Sequence, residues 1–222
     1  MKKRTLLSWS SGKDSAWALH VLRQRSDCEV VGLFCTVNQA FDRVAMHATR
    51  SELLRRQAAA AGLPLQTVEI PCPCDNATYA QLMGDFVANA RAAGIEQMAF
   101  GDLFLADVRR YREQNLAGSG IEPVFPLWEI PTAELATSML AAGVETYLCC
   151  VDPRRLPASF AGRRWDGALL AQLPADVDPC GENGEFHTVV VDGPFFHRRI
   201  DVSIGEVVER DGFVFADVIP AG

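Results

Sequence analysis

The sequence predicts an α/β fold, a parallel sheet with helices on both faces followed by a smaller mixed α+β part. Three observations carry this. Apolar runs of strand length alternate with helical stripes as far as Phe125, and the first run opens directly into a polar, glycine-bearing turn and a helix. Beyond Trp128 the pattern shifts to short strands and tight turns.

Residues 5–9 are the first apolar strand, and Ala16, Leu19, Val21 and Leu22 form the inward stripe of the helix after it, which ends near Arg25. Residues 29–37 are a continuous apolar run, as expected for a parallel strand covered on both faces. Residues 46–61 read as a helix stopped by Gly62 and Pro64. His47 and Arg50 lie one turn apart at its exposed start, with a polar ligand contact as the alternative. Residues 65–70 make a third strand. Asp75 or Asn76 caps a helix whose Tyr79, Leu82, Met83, Phe86, Val87 and Ala90 keep the helical period and are assigned to the core.

Gly94 closes that helix, and residues 97–100 form a fourth strand ending in Gly101-Asp102. A helix then reaches about residue 117, and a strand takes in Val124 and Phe125. Right-handed crossovers make such units into a parallel sheet, with ligands beyond the carboxyl ends of the strands where the winding reverses. The turn after the first strand and Gly101-Asp102 are therefore expected to face one crevice. Past Trp128, Thr132 begins a helix ending at Gly143, residues 146–151 are a strand, and residues 160–173 hold a short helix. Residues 188–191, 200–209 and 212–218 read as hairpin strands, with Asp211-Gly212 as a tight-turn signal. The boundary is placed near Pro126, giving parts 1–126 and 127–222.

A chain of 222 residues lies between one and two average domains, and with 49% hydrophobic residues it can bury a full core. A net charge of −7 excludes binding of nucleic acid through diffuse electrostatics, leaving residues 107–112 as a local basic candidate. The charged start runs into apolar residues that stop at Ser8, short of an export-signal core, and no run approaches the roughly 20 apolar residues of a membrane span. A soluble cytoplasmic protein is expected. Seven scattered cysteines fit a reducing compartment, with Cys35, Cys149 and Cys150 as small buried hydrophobes. Neither Cys72-Pro73-Cys74 nor Cys149-Cys150 has the spacing of a zinc or redox pair.

Ser10-Ser11-Gly12-Lys13-Asp14-Ser15 places three hydroxyls, a Gly, a Lys and an Asp at a helix start. A helix N-terminus presents unpaired N–H groups and the positive end of the macrodipole, so it holds an anion. Gly12 lets the backbone approach that anion, Lys13 adds a mobile positive charge, and the Ser10, Ser11 and Ser15 hydroxyls can donate to phosphate oxygens. The stretch reads as a phosphate cradle. It is not the common nucleoside-triphosphatase loop, since Leu7 stands at that motif's first Gly and Asp14 follows the Lys where Ser or Thr belongs. A carboxylate beside phosphates is repulsive unless a divalent cation bridges them, so Asp14 points to Mg²⁺. Helix capping by Ser11, Asp14 and Ser15 is the plainer alternative, but it gives Gly12-Lys13 no reason.

The second dense polar stretch is Asp178-Pro179-Cys180-Gly181-Glu182-Asn183-Gly184-Glu185-Phe186-His187-Thr188. Two glycines bracket Glu182-Asn183 as in a turn. If Glu185 enters the strand that follows, Glu185 and His187 share a face. A carboxylate beside an imidazole can position and deprotonate an amine, or hold a metal with help from elsewhere. A turn with a satisfied His is the plainer alternative. Elsewhere, Gly101 lets backbone approach a nucleotide and Asp102 can bind ribose or metal. Arg109 and Glu113 are spaced for an i,i+4 ion pair, with phosphate binding as the other reading.

These stretches resemble a known family. Residues 10–15 are similar to the Ser-Gly-Gly-Lys-Asp-Ser loop of the PP-loop ATP pyrophosphatases, with Ser11 in place of the first Gly. Gly101-Asp102-Leu103 with Arg109, Arg112, Glu113 and Pro126-Leu127-Trp128 resembles the diphthine–ammonia ligase group among them, as do residues 181–188 and Asp192-Gly193-Pro194-Phe195-Phe196. The resemblance implies a Rossmann-like fold of the adenine nucleotide alpha hydrolase type, with an ATP-binding domain over 1–126 and an acceptor-binding domain over 127–222. It implies ATP and Mg²⁺ held by Ser10, Ser11, Gly12, Lys13, Asp14, Ser15, Gly101 and Asp102, with Asp14 toward the metal. It also implies an acceptor site at Glu182, Asn183, Glu185 and His187, and catalytic roles for Lys13, Asp14, Glu185 and His187.

The implied activity is an ATP-dependent ligase that adenylates a carboxylate and forms an amide, releasing AMP and pyrophosphate. Its partners are ATP, a carboxylate acceptor on a small molecule or modified protein side chain, and ammonia or an amine. No membrane or nucleic acid is expected, and a homodimer is left open. Two alternatives stand beside it. A tRNA-modifying enzyme uses the same loop but needs a basic surface and often reactive cysteines; a nucleotide sensor would bind without chemistry.

Overall fold

The computed structural model describes residues 1–38, 43–44 and 49–221. Its first sheet contains β1 (Lys3–Ser8), β2 (Cys28–Asn38), β3 (Arg43–Val44), β4 (Leu65–Ile70), β5 (Gln97–Ala99) and β6 (Glu122–Val124). Five of these run parallel in the order β4-β2-β1-β5-β6, and β3 lies antiparallel to the end of β2. The chain winds outward from β1 to β4, then returns to the other side of β1. The winding therefore reverses between β1 and β5, where their carboxyl ends open a crevice. Helices α1 (Lys13–Gln24), α2 (Ser51–Ala61), α3 (Asn76–Ala92) and α4 (Ala106–Leu116) supply the crossovers. Both faces of β2 are covered, as buried Leu33, Phe34 and Cys35 show.

Local chemistry sets the helix ends. Asp75 caps α3 by accepting from the Thr78 N–H at 2.7 Å, and Gly62 ends α2 in the left-handed conformation, at φ 67°. The α2 start differs from the helix expected over 46–61: it begins at Ser51, while His47 and the rest of 45–48 lie outside the described residues. Arg50 stands at the cap and pairs with Asp217, its Nε 3.0 Å from Oδ1. The α3 stripe also differs. Val87 and Ala90 are buried, but Tyr79 and Met83 are half-buried because Ala80 and Gly84 leave room for a cavity against the sheet.

Past α5 (Thr132–Ala141), β7 (Glu145–Val151), α6 (Gly167–Leu170), β8 (Phe186–Asp192), β9 (Val202–Arg210) and β10 (Phe213–Pro220) complete the chain. The four strands form an antiparallel sheet in the order β8-β7-β10-β9. Asp211 and Gly212, at φ 53° and 78°, turn β9 into β10 as their sequence predicts. β8 pairs with β7 rather than with the strand that follows it.

One apolar cluster joins the two sheets: Leu7, Trp9 and Leu19 pack in it together with Leu148, Trp165, Phe186 and Val190. A second cluster under α3 holds Leu6, Phe34, Val87, Met98 and Phe100, and a third sets Leu53 and Ala60 of α2 against Cys149, Val189 and Val218. Among the described residues no helix is long and apolar enough to cross a membrane.

Candidate active site

The turn between β1 and α1 is shaped by Ser11, whose φ is +68° although it is not glycine. Its hydroxyl donates to Thr49 Oγ1 at 2.9 Å, and its carbonyl accepts from the Val190 N–H of β8 at 3.0 Å. The side chain is fully buried and turned away from the crevice, so the expected phosphate contact from Ser11 is not made available. Gly12 occupies the helix cap and offers no side chain, and a residue of the second sheet substitutes: Thr188 Oγ1 accepts from the Lys13 N–H at 3.2 Å. Ser15 donates to the Gly12 carbonyl at 3.0 Å, and Ser10 to Ser15 Oγ at 3.1 Å.

Lys13 is 1% exposed, which corrects the expectation of a mobile charge. Its ammonium donates to the Cys180 carbonyl and to Asp14 Oδ2 at 2.9 Å, and it lies 5.6 and 5.5 Å from the ring centres of Trp165 and Phe186. The other Asp14 oxygen, Oδ1, is buried with no hydrogen-bond partner among the described residues. From β5, Gly101 packs on the first turn of α1 so closely that a Cβ there would lie 2.9 Å from the Ser15 nitrogen. Its small size serves this approach of backbone to helix.

The turn over 178–185 closes the crevice from the second sheet. Glu182 Oε1 accepts from the Leu103 N–H at 2.8 Å, tying this turn to the loop after β5. Burial, with Asp14 and Asp102 nearby, pushes the Glu182 carboxyl up to about 7 against the pull of that N–H. Burial, reinforced by the Lys13 charge, takes the His187 imidazole down to about 4, so it is neutral at physiological pH. Burial also raises Asp102, opposed by Arg112, whose Nε stands 3.5 Å from Oδ2.

These groups share a cavity of about 170 Å³. Ser10, Gly12, Lys13, Asp14 and Ser15 line one wall, Gly101 and Asp102 a second, and Glu182, His187 and Thr188 a third. Asn183 and Glu185 are not on it, which corrects their expected place beside His187. Glu185 is 1% exposed and faces inward, where its Oε1 accepts from the Asp178 N–H at 3.1 Å and the Asn183 amide at 3.0 Å. It holds the turn from behind. Three carboxylates and one ammonium line the cavity, so its own field does not favour a bare polyphosphate.

A second cavity, of about 210 Å³, adjoins it and shares Ser8, Ser10 and Phe100 with it. Phe34, Cys35, Met83, Val87 and Met98 make its wall apolar, and Arg112 and Tyr79 stand at its edge. Arg109 lines neither cavity. It pairs with Glu113 at 2.8 Å and lies between the rings of Phe125 and Trp128, 4.9 and 4.7 Å from their centres. The i,i+4 reading of that pair is the one realised.

The diphthamide synthase N-terminal domain model matches residues 2–122, and the C-terminal domain model of the same enzyme matches residues 132–216. The chain belongs to the diphthamide synthase family. Among its relatives in that family, the diphthine–ammonia ligase of Rattus norvegicus is 28% identical over 130 residues, 56% of this chain and 48% of that protein. The Schizosaccharomyces pombe diphthine–ammonia ligase is 30% identical over 111 residues, covering 48% and 18%. That of Danio rerio is 27% identical over 182 residues, covering 72% and 69%. The chain thus spans about half the length of the rat relative.

Sequence reasoning gave no role to Thr188, Thr49 or Cys180. Thr188 stood inside the motif already singled out, and its hydroxyl was the available signal. Thr49, and the use of the Cys180 carbonyl rather than its thiol, had none.

Proposed function

We propose that the chain is an ATP-dependent, amide-forming ligase that releases AMP and pyrophosphate. One observation carries the reading: the N-terminus of α1, Asp14, Glu182 and His187 all line one cavity, and one Asp14 oxygen has no hydrogen-bond partner among the described residues. The adjoining apolar cavity, between α3 and the carboxyl-terminal halves of β1 and β2, suits an adenine ring. Phosphates would then lie on the free N–H groups at the start of α1 and on Ser10, Ser15 and Lys13. The division of labour proposed is nucleotide on 1–126 and acceptor on 127–222, with Glu182 and His187 reaching across.

Mg²⁺ is part of the proposal. No group of three or more potential ligands exists among the described residues, so those residues alone do not cage a metal. A buried carboxylate oxygen without a partner fits one ligand position, with the nucleotide supplying others. Asp14 would hold the ion, which when bound neutralises charge on the phosphates.

In the first step an acceptor carboxylate oxygen attacks the α phosphorus, the bond from that phosphorus to the bridging oxygen breaks, and pyrophosphate leaves. Lys13 and the α1 N–H groups stabilise the departing charge. In the second, the amine nitrogen attacks the acyl carbon, the bond to AMP breaks, and the amine proton passes to neutral His187 or ionised Glu182. The relatives' name makes diphthine the first acceptor to try and ammonia the first amine.

The test is incubation with ATP, Mg²⁺, ammonium and a panel of carboxylates that includes diphthine. AMP and pyrophosphate are expected; ADP and phosphate would refute the scheme. Burial pushes the Cys35 thiol, on the wall of the apolar cavity, up to about 12, which counts against thiol chemistry on a tRNA base. A bare sensor needs neither Glu182 nor His187. A cytosolic setting fits seven free cysteines. A homodimer pairing along the unshared edge of β9, where Ile204, Val207 and Val208 are exposed, completes the proposal.

A further inference from the structure

Gln57 lies in Arg55-Arg56-Gln57-Ala58-Ala59-Ala60-Ala61, a stretch of α2 with no motif in it. It is 0% exposed, and an amide removed from water is unfavourable unless its groups find partners. All three principal contacts are made. Its Oε1 accepts from the Trp9 indole N–H at 2.9 Å, and its Nε2 donates to the Ser11 carbonyl at 3.1 Å and the Val190 carbonyl at 2.7 Å. An indole N–H only donates and a carbonyl only accepts, so the orientation of the amide is fixed.

The partners belong to three separate pieces of the site. Trp9 is the exit of β1, Ser11 is the left-handed residue of the turn, and Val190 is on β8, shortly after His187 and Thr188. The Val190 N–H also donates to the Ser11 carbonyl. Gln57 is thus a side chain of α2 that hydrogen-bonds both the turn after β1 and β8.

We propose that Gln57 is a positioning residue: it sets the phosphate turn against β8, so that the α1 N-terminus and His187 face one cavity at a fixed separation. It acts through Ser11 and Val190 and touches no substrate. Its consequence for nucleotide binding rests on the proposed function; its consequence for the turn does not.

The experiment compares Gln57→Met and Gln57→Asn with Ile95→Ala, a control whose buried side chain belongs to the cluster under α3, which contains no residue of 9–16 or 186–192. Two readouts are taken below the melting temperature: amide hydrogen exchange over residues 9–16 and 186–192, and affinity for a non-hydrolysable ATP analogue with Mg²⁺. In Gln57→Met, exchange in both segments should quicken and the analogue Kd should rise, each about tenfold, because three polar groups lose their partner. Ile95→Ala should shift neither by more than about twofold at a comparable loss of Tm. Gln57→Asn, one methylene short, should lie between, and it decides the matter if the Met variant does not fold. Exchange unchanged in the Gln57 variants, or equal to that in Ile95→Ala, would overturn the proposal. Should the wild-type chain bind no analogue, the nucleotide reading falls, and the exchange comparison alone judges Gln57.

Discussion

Replacing Ser11 measures how the turn between β1 and α1 is held. An L residue in the left-handed region costs about 1–2 kcal/mol, and Ser11 sits there at φ +68°. Set against this is its buried hydroxyl bond to Thr49, a net contribution of about 1 kcal/mol. Ser11→Ala keeps the strain and loses the bond, so it should destabilise by about 1–2 kcal/mol. Ser11→Gly loses the same bond but releases the strain, less the roughly 0.5–1 kcal/mol that glycine's extra chain freedom takes back. It should fall within about 1 kcal/mol of wild type and above the Ala variant. At roughly 2–4 °C per kcal/mol for a chain of this size, Ser11→Ala should melt about 4 °C lower and Ser11→Gly within about 3 °C of wild type. Thermal unfolding by circular dichroism reads both, and a cycle with Thr49→Val should return a coupling of about 1 kcal/mol. A glycine variant less stable than the alanine one would refute the account of the turn.

Four other outcomes are expected. Asp14→Asn should lower AMP formation by at least about a hundredfold, and retention of more than a tenth of wild-type turnover would remove Asp14 from the chemistry. Between about pH 4.5 and 7 the folded chain keeps a proton on Glu182 that the unfolded chain has lost, so stability falls as pH rises through that window. Glu182→Gln lacks this slope and should gain in Tm on wild type from pH 5 to pH 8; parallel curves would contradict the burial argument. Thr188→Val, which takes the cap from the Lys13 N–H, should cost about 0.5–2 kcal/mol in urea unfolding. Val207→Lys should leave catalysis intact and turn a dimer into a monomer by light scattering, whereas an unaffected dimer would move the interface elsewhere.

The sequence made the parallel sheet legible because its strands are short apolar runs set off from the helices by punctuation such as Gly62, Gly94 or Asp75. The turn from β1 into α1 was legible too, since Gly12, Lys13 and Asp14 are adjacent. What strand alternation misled was the place of Glu185. It lies one residue before β8, and although its carbonyl already accepts from the Asp152 N–H, its carboxylate turns back to close the turn behind the cavity. The role of Ser11 was hidden for a different reason. A hydroxyl can serve phosphate or protein, and the choice depends on Thr49, 38 residues away. The α3 stripe kept a perfect helical period, yet period reports only which face turns inward, not whether side chains fill the space there.

The apolar cluster shared by the two sheets governs how the chain tolerates being cut. Severed after residue 126, the amino-terminal piece would leave Leu7, Trp9 and Leu19 without the residues of the other sheet that shield them, Leu148 and Val190 among them. Such a fragment is expected to aggregate when expressed alone, and to regain solubility only when the remainder is produced alongside it. The two parts, proposed for nucleotide and for acceptor, are therefore expected to fold as one unit, and neither half to survive grafting onto a foreign partner as an independent module.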